Sequence, residues 1–76
     1  MTIEKMRDEL ENRICDYHHA KLLGQSAAMQ LAVNTVNEYV EYEKSTGKQE
    51  NQILSDALNQ DVEELIKQIH KNRGEI

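Results

Sequence analysis

From Ser26 to Tyr42 the chain reads SAAMQLAVNTVNEYVEY, with polar positions recurring at three- and four-residue steps. Wound at about 100° per residue, Gln30, Asn34, Asn37 and Glu41 fall on one narrow strip. Ala28, Met29, Leu31, Ala32, Val33, Val36, Tyr39, Val40 and Tyr42 fill the rest, an apolar arc of roughly 200°. A helix that meets one neighbour needs about half that width. The pattern therefore predicts a central helix over residues 26–44, in contact with two surfaces.

The flanking stretches carry narrower stripes. Ile3, Met6, Leu10, Ile14 and Tyr17 follow one another at helical spacing and predict a first helix over residues 3–23. Thr2 suits its N-cap, Glu4, Asp8 and Glu9 suit its positive end, and Glu9 with Arg13 makes an i,i+4 pair. Gly24 reads as the stop and Ser26 as the next cap. So short a link predicts an antiparallel hairpin, with one longer helix kinked at Gly24 as the alternative. Ser45, Thr46, Gly47 and Lys48 have turn composition. They lack the first glycine, the preceding strand and the following Ser or Thr of a phosphate-binding loop. Leu54, Leu58, Val62, Leu65 and Ile69 form a third stripe over residues 50–73. Asp61 with Glu64 has the form of a capping box that would split this helix, but the stripe runs unbroken across it and predicts one helix. Lys67, His70, Lys71 and Arg73 suit its negative end, Gly74 closes it, and residues 75 and 76 are expected to fray.

The expected architecture is all-α: one domain over residues 1–76, a compact three-helix bundle made of a helical hairpin and a C-terminal helix. Composition adds one qualification. A chain of 76 residues with three tyrosines, no Phe and no Trp has a thin core. Small domains offset this with disulfides, a metal or self-association. Cys15 is the sole cysteine, so no intrachain disulfide can form, and a homo-oligomer is expected, a dimer in the first place. The formal net charge of −5 disfavours nucleic acid, whose binding relies on Lys and Arg replacing counterions. No apolar run spans a bilayer, and MTIEKMRDEL, charged from its fourth residue, does not read as a signal peptide. A cytoplasmic protein is expected, with no membrane partner.

The chemistry-bearing residues concentrate on the first helix. Glu11, Cys15, His18 and His19, with Leu22, project from the face opposite its core stripe. One-turn steps from Glu11 to Cys15 and from Cys15 to His19 can present ligands to a metal. One helix closes no tetrahedral site, and no second Cys/His pair exists in the chain, so surface and half-buried roles are expected and neither metal nor cofactor is. A Cys15 thiol nucleophile would need an oxyanion donor and a cleft, and no catalytic residue is assigned. Tyrosine joins a large apolar body to a polar tip and suits interfaces. Tyr17, Leu22, Leu23, Tyr39 and Tyr42 are the candidate contact residues for self or a partner.

IEKMRDELENRI, a short glycine link and NEYVEYEK together resemble the layout of the small two-helix aspartyl-phosphate phosphatases that regulate sporulation. That family's second helix carries a Ser-Gln-Glu-Leu-Asp motif. The aligned positions here are Val33, Asn34, Thr35, Val36 and Asn37, without the serine or the catalytic aspartate, and the third helix is extra. The activity does not carry over. The expectation is a non-enzymatic accessory regulator or inhibitor that binds another protein, of the kind bacteria and phages encode. The alternatives are a nucleotide-like small-ligand binder with a pocket between subunits and a nucleic-acid-associated regulator.

Overall fold

Thr2 opens the first helix as expected. Its backbone is extended and its hydroxyl accepts the Lys5 N–H at 3.2 Å, satisfying a donor that a helix start leaves unpaired. Among the described residues four helices follow: α1 (Ile3–Ala20), α2 (Gln25–Lys44), α3 (Glu50–Leu58) and α4 (Val62–Asn72). The computed structural model describes residues 2–21 and 23–74. Leu22 and the expected fraying of residues 75 and 76 lie outside the described residues.

α1 is shorter than its sequence suggests, and glycine does not end it. The helix stops at Ala20, and the Lys21 N–H closes the last turn on the His18 carbonyl at 3.0 Å. The His19 Nδ1 lies 3.0 Å from the Leu23 carbonyl and ties down the link. Gly24 is extended at φ −63° and occupies the N-cap position of α2, where its carbonyl accepts the Ala28 N–H at 2.8 Å. Ser26, expected as the cap, lies inside the helix. α1 and α2 are separate, and Arg7 Nη1 near the start of α1 donates to Asn37 Oδ1 late in α2 at 2.8 Å. That bond fixes an antiparallel hairpin and excludes one kinked helix. α2 ends at Lys44, and Gly47 supplies the left-handed residue of the turn at φ +97°.

The third expected helix is two. The N–H groups of Asn59 and Gln60 close α3 with three- and four-residue steps, and Asp61 turns extended (φ −64°, ψ 137°) before α4. The stripe survives the break, with Leu54, Leu65 and Ile69 all buried, but its two halves follow different axes. A tertiary bond rewards the break. Arg13 Nη1 donates to the Leu58 carbonyl at 2.8 Å, while Nη2 holds Glu9 at 3.3 Å. A helix continuing through Leu58 would spend that carbonyl internally. Arg13→Ala is expected to cost about 1 kcal/mol in urea unfolding, and Glu9→Ala markedly less. Equal effects would show that the Leu58 contact contributes nothing.

The core joins Leu10, Ile14 and Cys15 of α1 to Ala28, Ala32, Val36, Tyr39 and Val40 of α2, Ile53, Leu54 and Ala57 of α3, and Leu65, Ile66 and Ile69 of α4. α2 packs against α1 and α3, and it also borders α4, whose Ile66 and Ile69 share a cleft with Leu31 and Thr35. The hub, however, is α1, which packs against all three other helices, most extensively against α2. The polar strip Gln30, Asn34, Asn37 and Glu41 is exposed as expected. Glu50 ties the ends together, with Arg7 Nη2 at 3.1 Å and Lys44 Nζ at 3.9 Å.

Candidate functional site

α1 serves three neighbours, so its covered arc is wider than the stripe that the sequence shows. This corrects the placement of the Glu11, Cys15, His18 and His19 cluster. Cys15 lies in the core at 3% exposure, its thiol free. Glu11 and His18 are half-buried along the same edge, and only His19 points outward. Burial, with Asp8 nearby, pushes the Glu11 carboxyl above its usual range against the opposing pull of Arg7. Among the described residues no group of three or more His, Cys, Asp or Glu side chains is placed to hold a metal ion.

The histidine edge of α1 leads to a cleft. His18, Leu31 and Thr35 face Ile66, Ile69 and His70 of α4 and its C-cap Arg73 across a space of about 60 Å³. Desolvation and then the positive field of His70 hold the His18 imidazole below its ordinary value. The Tyr17 ring stands edge-on to His18 at 5.3 Å, with the Lys21 ammonium 5.4 Å from its centroid. Arg73 grips Glu38 with a two-pronged fork, Nε to Oε1 at 2.5 Å and Nη2 to Oε2 at 2.6 Å. That fork is the main reason the Glu38 carboxyl titrates low. The basic C-terminal end thus does more than complement its own helix: it closes onto α2.

The candidate contact residues separate. Tyr39 is a core residue at 3% exposure, and Tyr17 is half-buried against the core. Leu23 is 38% exposed and Tyr42 45%; the sequence reading did not single out Leu31, which is 37% exposed. Tyr42 and Leu31 share one flank of α2. On the other flank Gln25, Ser26, Met29, Gln30 and Val33 line an open furrow of about 440 Å³. The helical period places Met29 and Val33 together, one turn apart. The width of the apolar arc was the signal for both flanks.

Tyr39 lies beside the carboxylates of Glu43 and Asp56. Burial first, then those two charges, raise its phenol from 10.0 to about 12. Glu43 is itself buried, and Lys48 Nζ meets its Oε2 at 3.3 Å. Lys48 of the turn is therefore engaged structurally. Because the folded phenol keeps its proton after the unfolded one has lost it, stability is intact below pH 10 and falls between pH 10 and about 12. Relative to Tyr39→Phe, the wild type is expected to lose roughly 2–3 kcal/mol across that window. Urea titrations at stepped pH check this, and a constant difference between the two proteins would contradict it.

No helix among the described residues is long and apolar enough to cross a membrane. The chain matches no protein-family model, no curated protein and no solved structure.

Proposed function

We propose that this protein is a non-enzymatic, cytoplasmic accessory factor that self-associates and acts by binding another protein. The observation that carries this reading is that α2 is used on three sides. Its buried face completes the core, and each flank still presents apolar groups, Leu31 and Tyr42 on one and Met29 and Val33 on the other. A domain this small leaves such groups wet at a cost to its margin, and a second protein surface covers them. The furrow is lined from a single helix and has no convergent charged groups, which suits an inserted side chain better than a metabolite. The α1–α4 cleft brings histidines and basic residues together, as a ligand site requires. Its volume of about 60 Å³ is far below the roughly 300–1,000 Å³ of small-molecule pockets, so the nucleotide-like reading is not favoured. The acidic balance disfavours the nucleic-acid reading.

Mass action supplies the test. The melting temperature of the wild type is expected to rise with protein concentration. Val33→Lys and Tyr42→Lys, both outside the fully buried core, are expected to flatten that rise with the helical circular dichroism unchanged. A rise that persists in both variants would remove these flanks from the interface.

A further inference from the structure

We propose that the furrow on α2 seats a second copy of this chain, whose own α2 lies antiparallel across it about a two-fold axis near Met29 and Gln30. This pairing presupposes the self-association proposed above and gives it a surface, an orientation and an axis. Charge selects the occupant. The chain is 30% charged, with a formal net charge of −5, so most approaches of one copy to another set acid against acid. From residue 22 to residue 37 it carries no charged side chain, and no other uncharged stretch of the sequence is as long. The furrow lies within that stretch, lined by Gln25, Ser26, Met29, Gln30 and Val33.

A two-fold interface uses one patch twice, and a residue at the axis meets its own copy. A carboxylate or an ammonium there would face a like charge. Amides and hydroxyls carry donors and acceptors together, so each can pair with itself. The exposed polar residues of α2 before Glu38 are Gln25, Ser26, Gln30, Asn34 and Asn37, all of that kind. A different protein could meet charges here with opposite ones of its own. A second copy cannot do so at the axis, and this surface offers it none to meet. Met29 and Val33, both partly exposed, supply the apolar centre, and an unbranched Met adapts to an irregular furrow. Orientation follows from the charges that bound the stretch, Lys21 at one end and Glu38 and Glu41 at the other. Parallel helices would set each of these beside its own copy. Antiparallel helices turn Lys21 and the positive end of α2 toward the partner's Glu41. That end has Gly24 at its N-cap, with no side-chain capping bond and no acidic residue in its first turn.

Charge reversal at the axis, followed by sedimentation equilibrium of the full chain, tests this. Gln30 is exposed, so Gln30→Glu and Gln30→Lys are expected to keep the helical circular dichroism of the wild type. Each alone is expected to raise the dimer dissociation constant about tenfold or more, and an equimolar mixture of the two to restore it. Variants that each dimerise as the wild type does, or a mixture as monomeric as its parts, would overturn the pairing and leave self-association through another surface standing. A monomeric wild type would overturn both. Disulfide cross-linking reads the orientation, with the wild type as control because its Cys15 thiol is buried. Gln30→Cys is expected to link two chains and Glu41→Cys is not. No link from Gln30→Cys, or a link from Glu41→Cys formed as readily, would overturn the antiparallel arrangement.

Discussion

Val36→Asp is expected to abolish the cooperative thermal transition, or to leave a chain that is largely unfolded at room temperature. Val36 is fully buried, at the centre of the face that α2 turns to the core. An aspartate there is either charged without a partner or protonated with its polar oxygens unsatisfied. Either state costs several kcal/mol, comparable to the whole margin of a domain this size. Asn34→Asp, two positions along on the exposed polar strip, puts the same charge on the same helix and is expected to change stability by less than about 0.5 kcal/mol. A circular dichroism melt of Val36→Asp that overlays the wild type would show that the core face of α2 is wrongly assigned.

Leu54→Ala is the second large effect. Leu54 is fully buried on a helix of nine residues. Such a helix is too short to persist without tertiary packing. Truncation removes the buried methyl groups and leaves a cavity that the surrounding core side chains fill only in part, at a cost of about 2–5 kcal/mol. Leu58, only partly buried at the end of the same helix, is expected to cost less when cut to alanine. Denaturant unfolding of both variants checks the order. A larger loss at Leu58 would mean that α3 is anchored by its end and not by its middle.

Features set by neighbours along the chain were legible in the sequence. The Gln30, Asn34, Asn37 and Glu41 strip, the Thr2 cap, the end of α2 at Lys44 and the turn through Gly47 all follow from local period and backbone preference. What was missed depends on residues far apart. The group that rewards the end of α3 is Arg13, 45 positions before the Leu58 carbonyl that it meets, and no local pattern shows that contact. Cys15 reads as outward on a helix with one neighbour and becomes core on a helix with three. Glu43 looks like a surface residue and is buried, its charge met by Lys48. His18 and His70 meet only because α4 folds back across α1 and α2, a direction fixed at residues 59–61. The Asp61-Glu64 pattern did signal that break, and the unbroken apolar stripe outweighed it wrongly: a stripe reports burial and says nothing about a change of axis.

Sedimentation equilibrium of the wild-type protein at tens of micromolar, repeated at high salt, bears most directly on the proposal that α2 works as an association surface. The expected result is a species of twice the 8.8 kDa chain mass. It should be retained when salt screens surface charge, because the contacts at Met29, Val33, Leu31 and Tyr42 are apolar. A single species at the chain mass under both conditions would contradict self-association through those flanks.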